Sequence, residues 1–248
     1  MTCRVVICAE LGYHGTVIEK LAGTEPWRPR ILPSVAGTAR VALVQSRASL
    51  LSGDDVELSL TVGDGAALEL VELAATLAHD VRGGRGAAVR IEARVRSGGC
   101  LLWIGEPLIV ATGARVGRTT TLDLDDTGRA VLGERVVLGR AHERPGALVA
   151  RTRITRAGVP LLDETLDTED SETLTSAVVA GGARMIAGLT LAGVRDPDAP
   201  DGAMQAHGPA TLWRSVGPPR AGGGWPAELA ARWRDAALPA AASLTAYA

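Results

Sequence analysis

Two adjacent carboxylates, Asp54 and Asp55, stand in the stretch SLLSGDDVELSLTVGDGAALEL, and a Gly63-Asp64-Gly65 follows shortly after. Carboxylates grouped this way can hold a cation, relay a proton, or close a turn by accepting backbone N–H bonds. The pattern favours the turn, because both groups lie between segments of alternating polarity. Nothing else in the chain converges on a catalytic centre. The four histidines, His14, His79, His142 and His207, are scattered, and no GxxxxGK[ST], GxSxG, CxxC or HExxH occurs. Cys3, Cys8 and His14 lack a metal-site spacing, and three cysteines make no disulfide framework, so free thiols are expected. His79-Asp80 reads as a turn closure and Trp103, within CLLWIGEPLIV, as core. Glu106 and Arg140 lie in or beside apolar runs, where an unpaired charge costs several kcal/mol. Each therefore implies a partner: one another, the backbone, or a second protein.

The elements that must position these residues show a two-residue period from about residue 40 to 165. Val56, Leu58, Leu60 and Val62 share one face and Glu57, Ser59 and Thr61 the other. Val89, Ile91, Ala93 and Val95 alternate in the same way with Arg90, Glu92 and Arg94. TTTLDLD, AVLGERVVLG and ALVARTRITR continue the pattern, separated by SGDD, GDG, RGGRG, SGG, DDTG and RPG. Short strands with such turns mean a sandwich, a barrel or a β-solenoid. AALELVELAATLAHDV (66–81) is different: Leu70, Leu73 and Leu77 form a helical stripe, and propensity predicts a helix.

Beyond residue 165 the composition changes. DTEDSETL reads as an acidic loop, with Ser171 capping a helix over TLTSAVVAGGARMIAGL, and the Pro- and Gly-rich 195–224 reads as loop or linker. WPAELAARWRDAAL (225–238) predicts an amphipathic helix with Leu229 and Trp233 at i, i+4, covering a sheet or docking a partner.

Composition narrows the class. The chain has 248 residues, 46% hydrophobic but without Phe, and a net charge of −2. One mainly β domain over 1–248 is the default. The balance of charge argues against a nucleic-acid surface. No apolar run is long enough to span a bilayer and the N-terminus has no signal-peptide pattern, so a cytoplasmic protein is expected.

The order of the segments resembles the UreD (UreH) family of urease accessory proteins. Ser52-Gly53-Asp54 lies over that family's Gly-Gly-Asp turn, Gly65-Ala66 over a Gly-Ala, and Ala74-Ala75-Thr76 over an Ala-Ala-Thr. WIGEPLIV places Trp103, Glu106, Pro107 and Ile109 on a Trp-Leu-Pro-x-Pro-x-Ile strand, followed by Gly113-Ala114. Leu138-Gly139-Arg140 and a final hairpin carrying Gly158, Leu161, Leu162 and Glu164 complete a likeness that is strongest over 40–166. Where the family has Thr-Thr-Gln, this chain has Val71-Glu72-Leu73.

The resemblance implies a β-helical, solenoid-like stack of short strands with few helices, mostly in the C-terminal third, and makes 66–81 strand. It also implies a non-enzymatic maturation factor that binds urease structural subunits together with a helical accessory protein, UreF, and a GTPase, UreG. Such a factor binds no cofactor tightly and helps pass nickel along a polar internal path. A carrier must release its cation, so dispersed carboxylates and a His suit the task better than a closed site. Asp54, Glu106, His79 and Glu72 are the candidates for a transient nickel path. Trp103, Arg140, Glu164 and Trp233 are the candidate structural or interface residues. Two other classes remain open: a carbohydrate-active all-β enzyme, for which the chain lacks an aromatic ladder, and a β-sandwich interaction module.

Overall fold

The alternation read from Val56 to Val62 is what the backbone adopts, and it recurs coil after coil. The structure, a computed structural model, describes residues 2–47, 49–170, 174–176, 180–219 and 224–238. The chain opens with two hairpins, β1 (Thr2–Gly12) with β2 (Gly15–Gly23) and β3 (Trp27–Val35) with β4 (Thr38–Gln45). It then winds through β5 (Ser49–Leu50), β6 (Asp55–Val62), β7 (Ala67–Glu72), β8 (Thr76–Ala78) and β9 (Ala87–Val95). The winding continues through β10 (Cys100–Ile104), β11 (Leu108–Val110), β12 (Arg115–Leu124), β13 (Arg129–Leu138) and β14 (Ala147–Arg156).

Strands β6, β9, β12 and β14 lie parallel and adjacent in one sheet, while β4, β7, β10 and β13 do the same in the other. Asp55 pairs with Ala88, Ala88 with Gly117 and Gly117 with Val149, so each coil stacks in register on the last. The result is a β-solenoid of about four turns, as the resemblance implied. Gly53, Gly83, Gly113 and Gly139 take φ of 74 to 76° at successive corners, the left-handed conformation that an L side chain resists.

Antiparallel strands finish the stack. In the first sheet β15 (Val159–Asp167) pairs with β14, and in the second β16 (Met185–Ala192) pairs with β13. Two further strands, β17 (Met204–Gln205) and β18 (Ala210–Gly217), extend that second sheet. With β2 and β3 at the other end, they cover parallel edges that would otherwise be templates for pairing with another chain.

Inward-facing aliphatics fill the space between the sheets. Leu58, Leu60, Ile91 and Leu122 from one sheet meet Leu68, Leu70, Leu101 and Leu132 from the other. The second sheet is covered on its outer face too. Helix α1 (Ala227–Ala237) lays Leu229, Trp233 and Ala237 over Cys100, Leu102, Val131, Leu189 and Leu191. Of the two uses foreseen for this helix, covering a sheet is the one seen.

Three expectations need correction or qualification. The helical stripe in 66–81 folds as β7 and β8, because pairing with β4, β10 and β11 satisfies its backbone and leaves Leu73 61% exposed. Of the helix expected over 173–189, residues 174–175 are helical but the stretch from Met185 onward is the strand β16; Ser171 and residues 172–173 and 177–179 lie outside the described residues. Residues 195–224 are not all loop, since Ala210–Gly217 is strand β18 paired along its length with β16. Among the described residues no helix is long and apolar enough to cross a membrane.

Candidate functional site: a polar row inside the solenoid

The apolar interior is interrupted at one level of the coil. A loop, 73–75, separates β7 from β8 and another, 105–107, separates β10 from β11, whereas β13 runs unbroken and pairs with both β10 and β11. Glu72, the last residue of β7, shares the inward parity of Leu68 and Leu70 and so points into this break. Its carboxylate accepts hydrogen bonds from Trp103 Nε1 at 2.8 Å and from the Glu106 backbone N–H at 3.1 Å. Burial pushes the Glu72 carboxyl pKa up, opposed by the nearby Arg118 charge and by the Trp103 hydrogen bond. A cavity of about 30 Å³, room for a water or two, is bounded by Glu72, Thr76, Trp103, Glu106 and Arg118.

Arg118 belongs to the first sheet, on the inward parity of Val116, Thr120 and Leu122. Across the interior its NH2 lies 3.0 Å from Oε1 of Glu134, which stands on β13 between inward Leu132 and Val136. Two buried hydroxyls converge on the same carboxylate: Thr152 Oγ1 donates to Oε2 at 2.9 Å, and Thr120 Oγ1 lies 3.5 Å from Oε1. Beyond this pair a cleft of about 300 Å³ opens between β14–β15 and β16–β18. Val136, Ala150, Leu166 and Ile186 form its apolar walls, and Arg214 meets Glu164 at 2.6 Å nearer its mouth. Glu72, Arg118, Glu134, Arg214 and Glu164 thus form a row of alternating charge running across the coils.

The four candidate path residues separate into two groups. Glu72 and Glu106 meet at the small cavity, and Glu106 also approaches Arg135 at 3.4 Å. Asp54 sits 4% exposed at a coil corner, accepting from Leu51 N at 2.9 Å and paired with Arg47. His79 occupies the corner after β8, its Nε2 3.3 Å from Ser49 Oγ. Neither Asp54 nor His79 lines the small cavity or the cleft. Asp55 points outward and pairs with Arg90 at 2.5 Å.

The structural candidates find partners within the chain. Trp103 is 2% exposed, Glu164 holds Arg214, and Trp233 is fully buried with its Nε1 2.7 Å from Asp196 Oδ2. Arg140 is exposed and pairs with Glu143, whose carboxyl it holds down to about 2. Arg140 and Glu106 therefore do not satisfy each other. Sequence reasoning missed Arg118, Glu134 and Arg214. For Arg118 a signal was present, since it shares the parity of Val116 and Leu122, whereas on β13 both parities are apolar and Glu134 carried none.

Among the described residues no three His, Cys, Asp or Glu side chains converge to hold a metal ion. The three cysteines are free. Fold and site together define a parallel β-solenoid with a charged interior. The sequence description of the UreD urease accessory protein family matches residues 4–245. Two relatives share this match over long stretches. "Urease accessory protein UreD 1" of Streptomyces griseus is 42% identical over 172 residues, 69% of this chain and 67% of the relative. A protein of the same description from Saccharopolyspora erythraea is 37% identical over 238 residues, 93% of this chain and 89% of the relative. The chain belongs to the UreD urease accessory protein family.

Proposed function

We propose that this protein is a non-enzymatic urease maturation factor, a scaffold that binds apo-urease together with UreF and UreG and assists nickel insertion. The observation that carries the reading is the charged row inside the solenoid. An otherwise aliphatic interior keeps Glu72 on β7 and Glu134 on β13, with Glu164 following on β15 at the cleft, where hydrophobic residues of similar size would cost nothing in stability. Carboxylates strung out in this way offer a divalent cation one or two oxygens at each step, enough to pass it on and too few to retain it. Glu106 and Glu72 form one end of the proposed route, and Glu134 and Glu164 the other. Asp54 and His79 hold the corners of the coil beside it.

The carbohydrate-active alternative finds less support. A cavity of about 30 Å³ at Glu72 is far too small for a sugar ring, and both carboxylates of the larger cleft are engaged by guanidinium groups.

The test is reconstitution of urease activation from apo-urease, UreF, UreG and nickel. Glu72→Gln and Glu134→Gln are expected to slow activation at least ~10-fold while the complex still assembles, an effect of the size seen when metal-supporting groups are removed. Asp54→Ala is expected to act through stability alone. Full activation by both glutamine variants in an intact complex would remove the internal route. Failure of the wild-type chain to co-purify with UreF and UreG would remove the scaffold.

A further inference from the structure

Resting on the reading of the polar row as a nickel route, we propose that Arg118 is its tethered counter-ion: a built-in cation that occupies the Glu134 carboxylate between passages and exchanges with each arriving divalent ion. Arg118 borders both the small cavity and the cleft, so its guanidinium is the partition between them. Its hold is partial. NH2 reaches Glu134, but the buried Nε has no hydrogen-bond partner among the described residues. Arg135, on the outer face of the second sheet, shows what a fixed guanidinium looks like: it donates twice to Gly105 O, at 2.8 and 3.1 Å, and lies over the Trp225 ring.

Glu134 is anchored independently of Arg118. The Thr152 hydroxyl, with Thr120 close by, keeps the carboxylate in place when the guanidinium leaves. The displaced guanidinium has somewhere to go, because Arg118 and Glu72 line the same small cavity.

The exchange also selects by charge. A carboxylate with no counter-ion would hold any cation that arrived. With Arg118 resident, an incoming ion must outcompete a guanidinium already in contact. A divalent ion, with twice the Coulombic attraction at equal distance, can do this where sodium or potassium cannot.

The decisive measurement is the affinity of the purified chain for Ni²⁺ by titration calorimetry, with NiCl₂ as the only ligand. Arg118→Gln removes the competitor and is expected to tighten binding at least ~10-fold, whereas KCl up to physiological strength competes only in the variant. Binding no tighter than that of the wild type overturns the assignment. If Arg118→Gln does not fold, wild-type crystals soaked in NiCl₂ take its place. A metal ion on Glu134 with Arg118 swung away supports the proposal, and Arg118 still paired with Glu134 overturns it. Urease activation by the wild-type chain is a separate readout. Its failure removes the nickel route as a function and leaves the exchange at Glu134 to be judged on affinity alone.

Discussion

Trp233 Nε1 donates to Asp196 Oδ2 at 2.7 Å, pinning the only helix of eight or more residues among the described residues to the turn that follows β16. The same carboxylate pairs with Arg232, and two residues further on Arg234 reaches Glu69 at 2.6 Å. Helix α1 is thus held by its apolar face and by two carboxylates, Glu69 on the sheet it covers and Asp196 in the loop after β16. Emptying the site of the fully buried indole with Trp233→Ala is expected to cost ~3–5 kcal/mol. Asp196→Ala, which leaves the indole N–H without an acceptor, is expected to cost ~1–3 kcal/mol. Urea unfolding followed by circular dichroism measures both, and equal small losses would mean that the helix contributes little.

The Arg118–Glu134 pair should behave asymmetrically. Glu134→Ala alone strands a largely buried guanidinium and is expected to cost ~3–5 kcal/mol. Replacing both partners, Arg118→Met with Glu134→Leu, is expected to be neutral or stabilising by ~1–4 kcal/mol, because neither charge then has to be desolvated. A double-mutant cycle in urea reads the difference. Additive losses would show that the two residues act independently.

Glu72 gives stability a pH dependence whose sign follows from burial. Its folded carboxyl has a raised pKa, so the native state binds the proton more tightly than the unfolded chain does. The resulting stabilisation is complete below the ordinary Glu value of about 4.3 and is lost as pH rises through the raised native value. Glu72→Gln mimics the protonated form and should flatten the decline in melting temperature as pH rises above the ordinary Glu range. An unchanged slope would assign the dependence to other groups.

Two corner glycines separate backbone strain from crowding. Gly83 and Gly113 have the same φ of 76°, so alanine at either costs ~1–2 kcal/mol for the left-handed conformation. At Gly83 a Cβ meets open space, whereas at Gly113 it would lie 2.5 Å from Cγ of Asp80. Asp80 cannot move away freely, because its Oδ1 accepts from Arg82 N at 2.7 Å. Gly113→Ala should therefore lower the melting temperature clearly more than Gly83→Ala, and equal effects would show that Asp80 yields.

The sequence by itself determined the local geometry of the coils. Val56, Leu58, Leu60 and Val62, and Val89 through Val95 in alternation, face inward as their two-residue period requires, since successive side chains in a strand must point to opposite faces. The turn chemistry around Gly53 and Asp54 was legible for the same reason, as was helix α1 from its Leu229–Trp233 spacing. Tertiary structure decided what depends on partners distant in sequence. Leu70, Leu73 and Leu77 carry a helical stripe, yet neighbouring coils supply hydrogen-bond ladders that override propensity. On β13 both parities are apolar, because one face meets the first sheet and the other meets α1, so no local pattern could tell that Glu134 points inward and Arg135 outward. That Glu134 faces Arg118 was decided by the stacking of coils, which brings strands of opposite sheets together around a shared interior where a charge endures only opposite another.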